Sequence, residues 1–130
     1  MPEPQTDRTG AAVHITLDET RTIGAYTVST DDGTPAGRAD FVDPPEADGE
    51  RIFFHTEVAP EFNGRGLAGL LVDEALADSI RKNITVVPVC PLFARRLREH
   101  GDAYTADGGR FRRPRPADLA TVELATKGRA

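Results

Sequence analysis

A change of hydrophobic period in the middle of the chain constrains everything around it. From Arg51 to Val58 the sequence reads Arg-Ile-Phe-Phe-His-Thr-Glu-Val, the aromatic and β-branched composition of a central strand. From Gly66 the apolar residues Leu67, Leu70, Leu71, Ala75 and Ile80 recur at helical spacing, with Asp73, Glu74 and Asp78 between them. That pattern predicts an amphipathic helix ending near Asn83. The junction is Val58-Ala59-Pro60-Glu61-Phe62-Asn63-Gly64-Arg65-Gly66-Leu67-Ala68-Gly69. A loop that opens a helix exposes unbonded backbone N–H groups at the positive end of the helix dipole, and glycines remove the Cβ atoms that would hold a bulky anion away. The expected guest is a phosphate group, with Arg65 adding a charge-assisted contact.

The rest of the chain places this junction in one α+β domain, since 130 residues suit a single folding unit. Residues 1–10 read as a disordered leader, 11–107 as the domain, and 108–130 as an Arg/Pro-rich tail with room for a short helix. Val13 to Leu17 and Arg21 to Ser29 are strand-like. The turn Thr30-Asp31-Asp32-Gly33 then leads into a strand over Ala36 to Val42. After the long helix, Ile84 to Val87 forms a strand stopped by Pro88, and a second helix runs from Pro91 to His100 with Gly101 as its stop. The strands before the junction form an antiparallel meander. The last two are joined by a helical crossover and must be parallel.

Composition narrows the chemistry. The net charge of −5 conceals an asymmetry: residues 1–50 carry three arginines against eleven acids, while the remainder is net basic and the better host for an anion. An acidic chain of this kind does not suit non-specific nucleic-acid binding. The one cysteine, Cys90, excludes an internal disulfide and any multi-cysteine metal site, so neither metal nor membrane is expected. The first residues have neither a basic patch nor an apolar run for export, which makes the cytoplasm the expected location.

Three kinds of phosphate loop compete for the junction. A Walker A loop needs Lys followed by Ser or Thr after its last glycine, and both are missing. Gly64-x-Gly66-x-x-Gly69 has the spacing of a dinucleotide fingerprint, but the following strand ends in Pro88-Val89-Cys90 with no carboxylate to hold a ribose. The third candidate is a strand ending in Val58-x-Pro60, followed by Asn63-Gly64-Arg65-Gly66-Leu67-Ala68 and a long helix. This arrangement resembles motif A of the GNAT acetyltransferase superfamily, with Asn63 where the family pattern has Gln or Arg. The combination of His55-Thr56-Glu57-Val58, the glycine turn and Val87-Pro88-Val89-Cys90-Pro91 resembles more narrowly the minimal, single-domain YjdJ-type N-acetyltransferase-like branch, over roughly Thr22 to Tyr104.

The resemblance implies a GNAT-like mixed sheet and acetyl-CoA as the donor of an acetyl group to a small-molecule or protein amine. It also implies a coenzyme site built from Val58, Asn63, Gly64, Arg65, Gly66, Leu67 and Ala68, and a cysteine, Cys90, near the thioester. A coenzyme A-binding or sensing module with little turnover is the alternative. The acceptor and the oligomeric state are not legible.

The residues themselves supply further candidates. Cys90 precedes Pro91, a residue favoured at the first helical position, so its sulfur belongs at a helix N-cap where the dipole favours the thiolate. It is then either a participant at the thioester, by acid assistance or by transient acylation, or a small buried hydrophobe. Strand alternation puts Phe53, His55 and Glu57 on one face, making His55 and Glu57 candidate bases; each has a plain structural reading as well. Arg95, Arg96 and Arg98 read as the wet face of a helix, and Arg110 to Arg115 as a solvated tail.

Overall fold

The computed structural model describes residues 5–45 and 47–127. In chain order these form β1 (Gln5–Thr6), β2 (Ala12–Asp18), β3 (Ile23–Thr30), β4 (Pro35–Val42), β5 (Glu50–Val58), a 3-10 turn (Pro60–Phe62), α1 (Leu67–Arg81), β6 (Thr85–Pro88), α2 (Pro91–Ala106), β7 (Arg110–Phe111) and α3 (Pro116–Lys127). The strands lie in one sheet in sequence order. Pairing is antiparallel from β1 to β5, then parallel for β5–β6 and β6–β7. The α+β mixed sheet is thus the one the sequence implied.

Two cores divide the faces of the sheet. On one, α1 and α2 cover Tyr26, Val28, Phe41, Phe53 and Val86, with Phe53 stacked on Phe93 at 4.4 Å between ring centroids. On the other, α3 lays Val122 and Ala125 against Val42, Ile52 and Val87. A buried cation sits at the edge of the first core. Arg51, 2% exposed, bonds Asp43 and Glu19, donates to the Tyr26 hydroxyl and lies 3.9 Å from the centre of the Phe41 ring. Tyr26 in turn donates to Asp78 at 2.6 Å, tying β3 to α1.

Four expectations are corrected. Gln5–Thr6 is not part of a disordered leader: it pairs with Val13 and Ala12, and the turn beyond it is closed by Asp7, whose Oδ1 accepts from Thr9 N, Thr9 Oγ1 and Ala11 N. Met1 to Pro4 lie outside the described residues. The helix from Pro91 does break at His100, where it was expected to stop (φ −131°, ψ 20°), but the chain does not leave it at Gly101: helical turns resume to Ala106, with Gly101 making room for the Phe111 ring and Tyr104 donating to the Leu76 carbonyl at 3.0 Å. The short helix the tail had room for is present as α3, but the Arg-rich stretch before it is not a free tail, since Arg112 bonds Glu50 and Asp118 together and pins α3 to the sheet.

The fourth correction concerns β5. A register shift opposite Asp40–Phe41 pairs Asp40 with His55 and Phe41 with Phe53, which breaks the simple alternation. Phe53 packs into the α1–α2 core and Phe54 against the α3 core, and the positions beyond resume alternation with Thr56 and Val58 on the α1–α2 side. His55 and Glu57 do share a face, but Phe53 is not on it.

Candidate functional site

The sheet itself makes the opening. β5 and β6 pair from Glu50↔Thr85 to Phe53↔Pro88, and a last bond joins Cys90 N to Phe53 O at 2.8 Å. The chain has by then left β6 at Pro88, which has no N–H to continue a ladder, and it enters α2 at Pro91. β5 runs on to Val58 paired with β4 but with its other edge no longer met by β6. A wedge therefore opens between the end of β5 and the start of α2.

At the outer end of the wedge lies the glycine loop. The 3-10 turn closes with Phe62 N to Ala59 O (2.9 Å) and Asn63 N to Pro60 O (3.2 Å), after which the backbone is left-handed at Gly64 (φ 83°) and at Gly66 (φ 76°), the N-cap of α1. The first bond of the helix ladder runs from Leu70 N to Gly66 O. Among the described residues, the backbone N–H groups of Gly64 through Gly69 donate to no protein acceptor. A cavity of about 290 Å³ spans the loop and the wedge, lined by Asn63, Gly64, Gly66, Leu67 and Ala68, by Thr56, Glu57 and Val58 of β5, by Leu92 of α2 and by Arg8. A larger groove of about 840 Å³ lies between α3 and the β2–β3 turn, but it contains none of these donors. Donor chemistry, not size, makes the smaller cavity the candidate anion site.

Each expected coenzyme contact except Arg65 lines this cavity. Arg65 turns the other way: its Nη1 lies 3.7 Å from Oδ2 of buried Asp7, and its guanidinium stands 5.1 Å from the centre of the Phe62 ring. The arginine that does face the cavity is Arg8. No local pattern in the sequence points to it, because the turn carrying it reaches the loop only through the sheet.

The candidate reacting groups fall on both sides of β5. Cys90 is the N-cap of α2 (φ −63°, ψ 129°) with Pro91 at the first helical position, as the sequence predicted, but its side chain is only 3% exposed and belongs to the α1–α2 core. Its Sγ lies 3.4 Å from Thr56 Oγ1, a contact that crosses the wedge. On the opposite face, His55 Nε2 and Glu57 Oε1 are 3.0 Å apart, and Arg38 Nη2 reaches the same Glu57 oxygen at 3.1 Å. Arg38 Nε also bonds Asp40, which is 1% exposed. The structure therefore unites His55 with Glu57 and adds Arg38 and Thr56, which the sequence reading passed over. It separates the pair from Cys90 by the thickness of the strand. Glu57 lines the cavity and His55 does not.

Other side chains of α2 serve packing or the surface. Tyr104 is a structural phenol, bonded to the Leu76 carbonyl and pushed up to about 12 by burial. Arg95 pairs with Glu99 and Arg96 with Asp73 on the surface of α2, away from the cavity. Among the described residues, no cluster of His, Cys, Asp and Glu is arranged to hold a metal, and no helix is long and apolar enough to cross a membrane.

Comparison with known proteins bears on this geometry directly. The sequence pattern of the GCN5-related N-acetyl-transferases matches residues 25–107, which include β5, the glycine loop, α1, β6 and α2. The chain belongs to the GCN5-related N-acetyl-transferase family. No curated protein matches it. Solved structures similar to this chain include a GCN5-like protein from Staphylococcus aureus (18% identity, TM-score 0.46, covering 78% of this chain and 91% of that one). Two others are the ribosomal-protein-alanine N-acetyltransferase of Brucella melitensis biovar Abortus 2308 (19%, 0.42, 84% and 62%) and the spermidine/spermine N-acetyltransferase SpeG of Vibrio cholerae (17%, 0.47, 65% and 51%). Four of the matched structures are longer chains, of which this one spans 41% to 62%.

Acetyl-CoA is the acyl donor of the family. The residues present fit such a group. Gly64, where an added Cβ would meet nothing within 4 Å, leaves the loop open, and the free amides beside it are the donors a diphosphate requires.

Proposed function

We propose that the chain transfers an acetyl group from acetyl-CoA to an amine carried by a small molecule or a protein, in the cytoplasm. The observation that carries this reading is the run of unbonded amides from Gly64 to Gly69 at the mouth of a wedge between β5 and α2. The amides hold the diphosphate, aided by the positive end of α1. The exposed edge of β5 and the side chains of Thr56, Val58 and Leu92 orient the thioester end.

Bound coenzyme supplies an activated acyl group, and the protein then has two protons to manage. Glu57, which lines the cavity, takes the proton of the amine as the N–C bond forms, with His55 as its relay on the same face and Arg38 fixing the carboxylate. On the other side of the strand, Cys90 gives its proton to the coenzyme sulfur as the C–S bond breaks, with Thr56 orienting the thiol. Direct transfer suits the packing better than a route through acylated Cys90, because an acetyl group on a sulfur this buried would have to enter a close-packed core.

The test measures release of coenzyme A thiol with a panel of amines, confirmed by the mass of the acetylated product, alongside the melting temperature with coenzyme A. Product and a raised melting temperature are expected. Stabilisation with no product from any amine would instead make this a coenzyme-binding module. No stabilisation at all would remove the reading.

A further inference from the structure

We infer that Arg8, carried by the N-terminal hairpin outside the span that matches the family, is a clamp on the coenzyme diphosphate. This inference rests on the coenzyme reading above and names a residue that the family pattern does not reach.

The hairpin is built to present this side chain. Gln5–Thr6 joins the edge of the sheet, Asp7 folds the next residues back by accepting three hydrogen bonds from Thr9 and Ala11, and Asp7 N donates to Ala11 O at 3.0 Å. Arg8 lies at the bend, and its own N–H donates to the carbonyl of Arg65 at 2.9 Å. The hairpin is thereby bonded to the phosphate loop through the backbone, independently of either arginine's side chain.

Gly66 completes the arrangement. A Cβ at that position would lie 3.0 Å from Nε, 3.1 Å from Cγ and 3.3 Å from Cδ of Arg8, so the missing side chain of the glycine is the space the arginine stem occupies. The stem runs over the left-handed N-cap of α1, and Arg8 lines the same cavity as Gly64, Gly66, Leu67 and Ala68, whose amides are free. No described carboxylate accepts a hydrogen bond from it. Arg65, the loop's own arginine, is meanwhile drawn to Asp7 on the far side of the loop. The two arginines therefore point apart: Arg65 lies against Asp7 of the hairpin, and Arg8 is left to the anion. A guanidinium presents paired donors to phosphate oxygens, which an isolated amide does not.

The test compares wild type with Arg8→Gln and Arg8→Lys by calorimetric titration with coenzyme A, dephospho-coenzyme A and pantetheine. Arg8→Gln should weaken coenzyme A and dephospho-coenzyme A by the same factor, about 10-fold or more, and leave pantetheine unchanged; Arg8→Lys should recover part of the loss. A loss confined to coenzyme A would place Arg8 on the 3'-phosphate and overturn the assignment, as would equal affinity for all three ligands. Failure of wild type to bind any of them would strike the coenzyme reading rather than the clamp. A second measurement needs no variant: phenylglyoxal labelling of wild-type Arg8, read by peptide mass, should be slowed by coenzyme A and not by pantetheine, and labelling indifferent to coenzyme A would overturn the clamp.

Discussion

Replacing Gly66 by alanine probes the loop at its tightest point. The backbone there is left-handed (φ 76°, ψ 18°), a conformation that costs a residue with a Cβ about 1 to 2 kcal/mol. The new Cβ would also meet Arg8 at 3.0 Å, but that contact is with an exposed, flexible side chain and is relieved by moving it. The strain therefore dominates the stability change, and for a chain of this size the melting temperature should fall by roughly 3 to 10 °C. The displaced arginine dominates the binding change: coenzyme A affinity should fall about 10-fold, as for loss of the Arg8 charge itself.

The two effects separate in a cycle with Arg8→Gln, read by calorimetric titration. Because Gly66→Ala already moves the guanidinium, the second substitution should add little, giving a coupling of about 1 kcal/mol. Fully additive losses would refute the idea that the glycine exists to admit the arginine. An unchanged melting temperature would refute the left-handed cap.

Other substitutions test other parts. Cys90→Ala should lower acetyl transfer by about 10- to 100-fold with coenzyme affinity near wild type; unchanged turnover would return the sulfur to simple packing. Glu57→Gln should lower kcat by about 100-fold and alter the pH–rate profile, so a superimposable profile removes it as part of the base. Arg112→Met should destabilise the fold by about 2 to 3 kcal/mol at neutral pH, somewhat below the cost of breaking a fully buried pair, because Arg112 keeps about a fifth of its side chain exposed. Hydrogen bonds from Arg112 hold the Glu50 and Asp118 carboxyls below their ordinary values. Their contribution is complete above the unfolded pKa near 4 and lost as pH falls through the lower folded values. The variant's deficit, followed by circular dichroism, should therefore shrink on acidification below about pH 4, and a deficit independent of pH would contradict the assignment.

The central unit was legible because its signals are local. The period changes from two to helical at Gly66, and Pro91 after Cys90 marks a helix start; both are written within a few residues of the structure they specify. What escaped depends on partners far along the chain. The tail is ordered by an arginine that meets Glu50 from 62 positions away, and the kinked extension of α2 by Tyr104 reaching back to Leu76. The bulge in β5 is set by its pairing with β4, so strand alternation put Phe53 on the wrong face while keeping His55 and Glu57 together. Arg8 belongs to the same class. Its sequence shows a polar leader, and only the docking of the hairpin on Arg65 brings it to the phosphate loop.

The claim beneath all of this is that the start of α1 is a set of amides waiting for a diphosphate. Titrating ¹⁵N-labelled protein with coenzyme A and following the amide resonances tests it residue by residue. The account predicts the largest shifts at Gly64, Arg65, Gly66, Leu67 and Ala68, scaling with occupancy. Saturating coenzyme A that leaves those resonances in place, or that moves only signals elsewhere in the sheet, would contradict it.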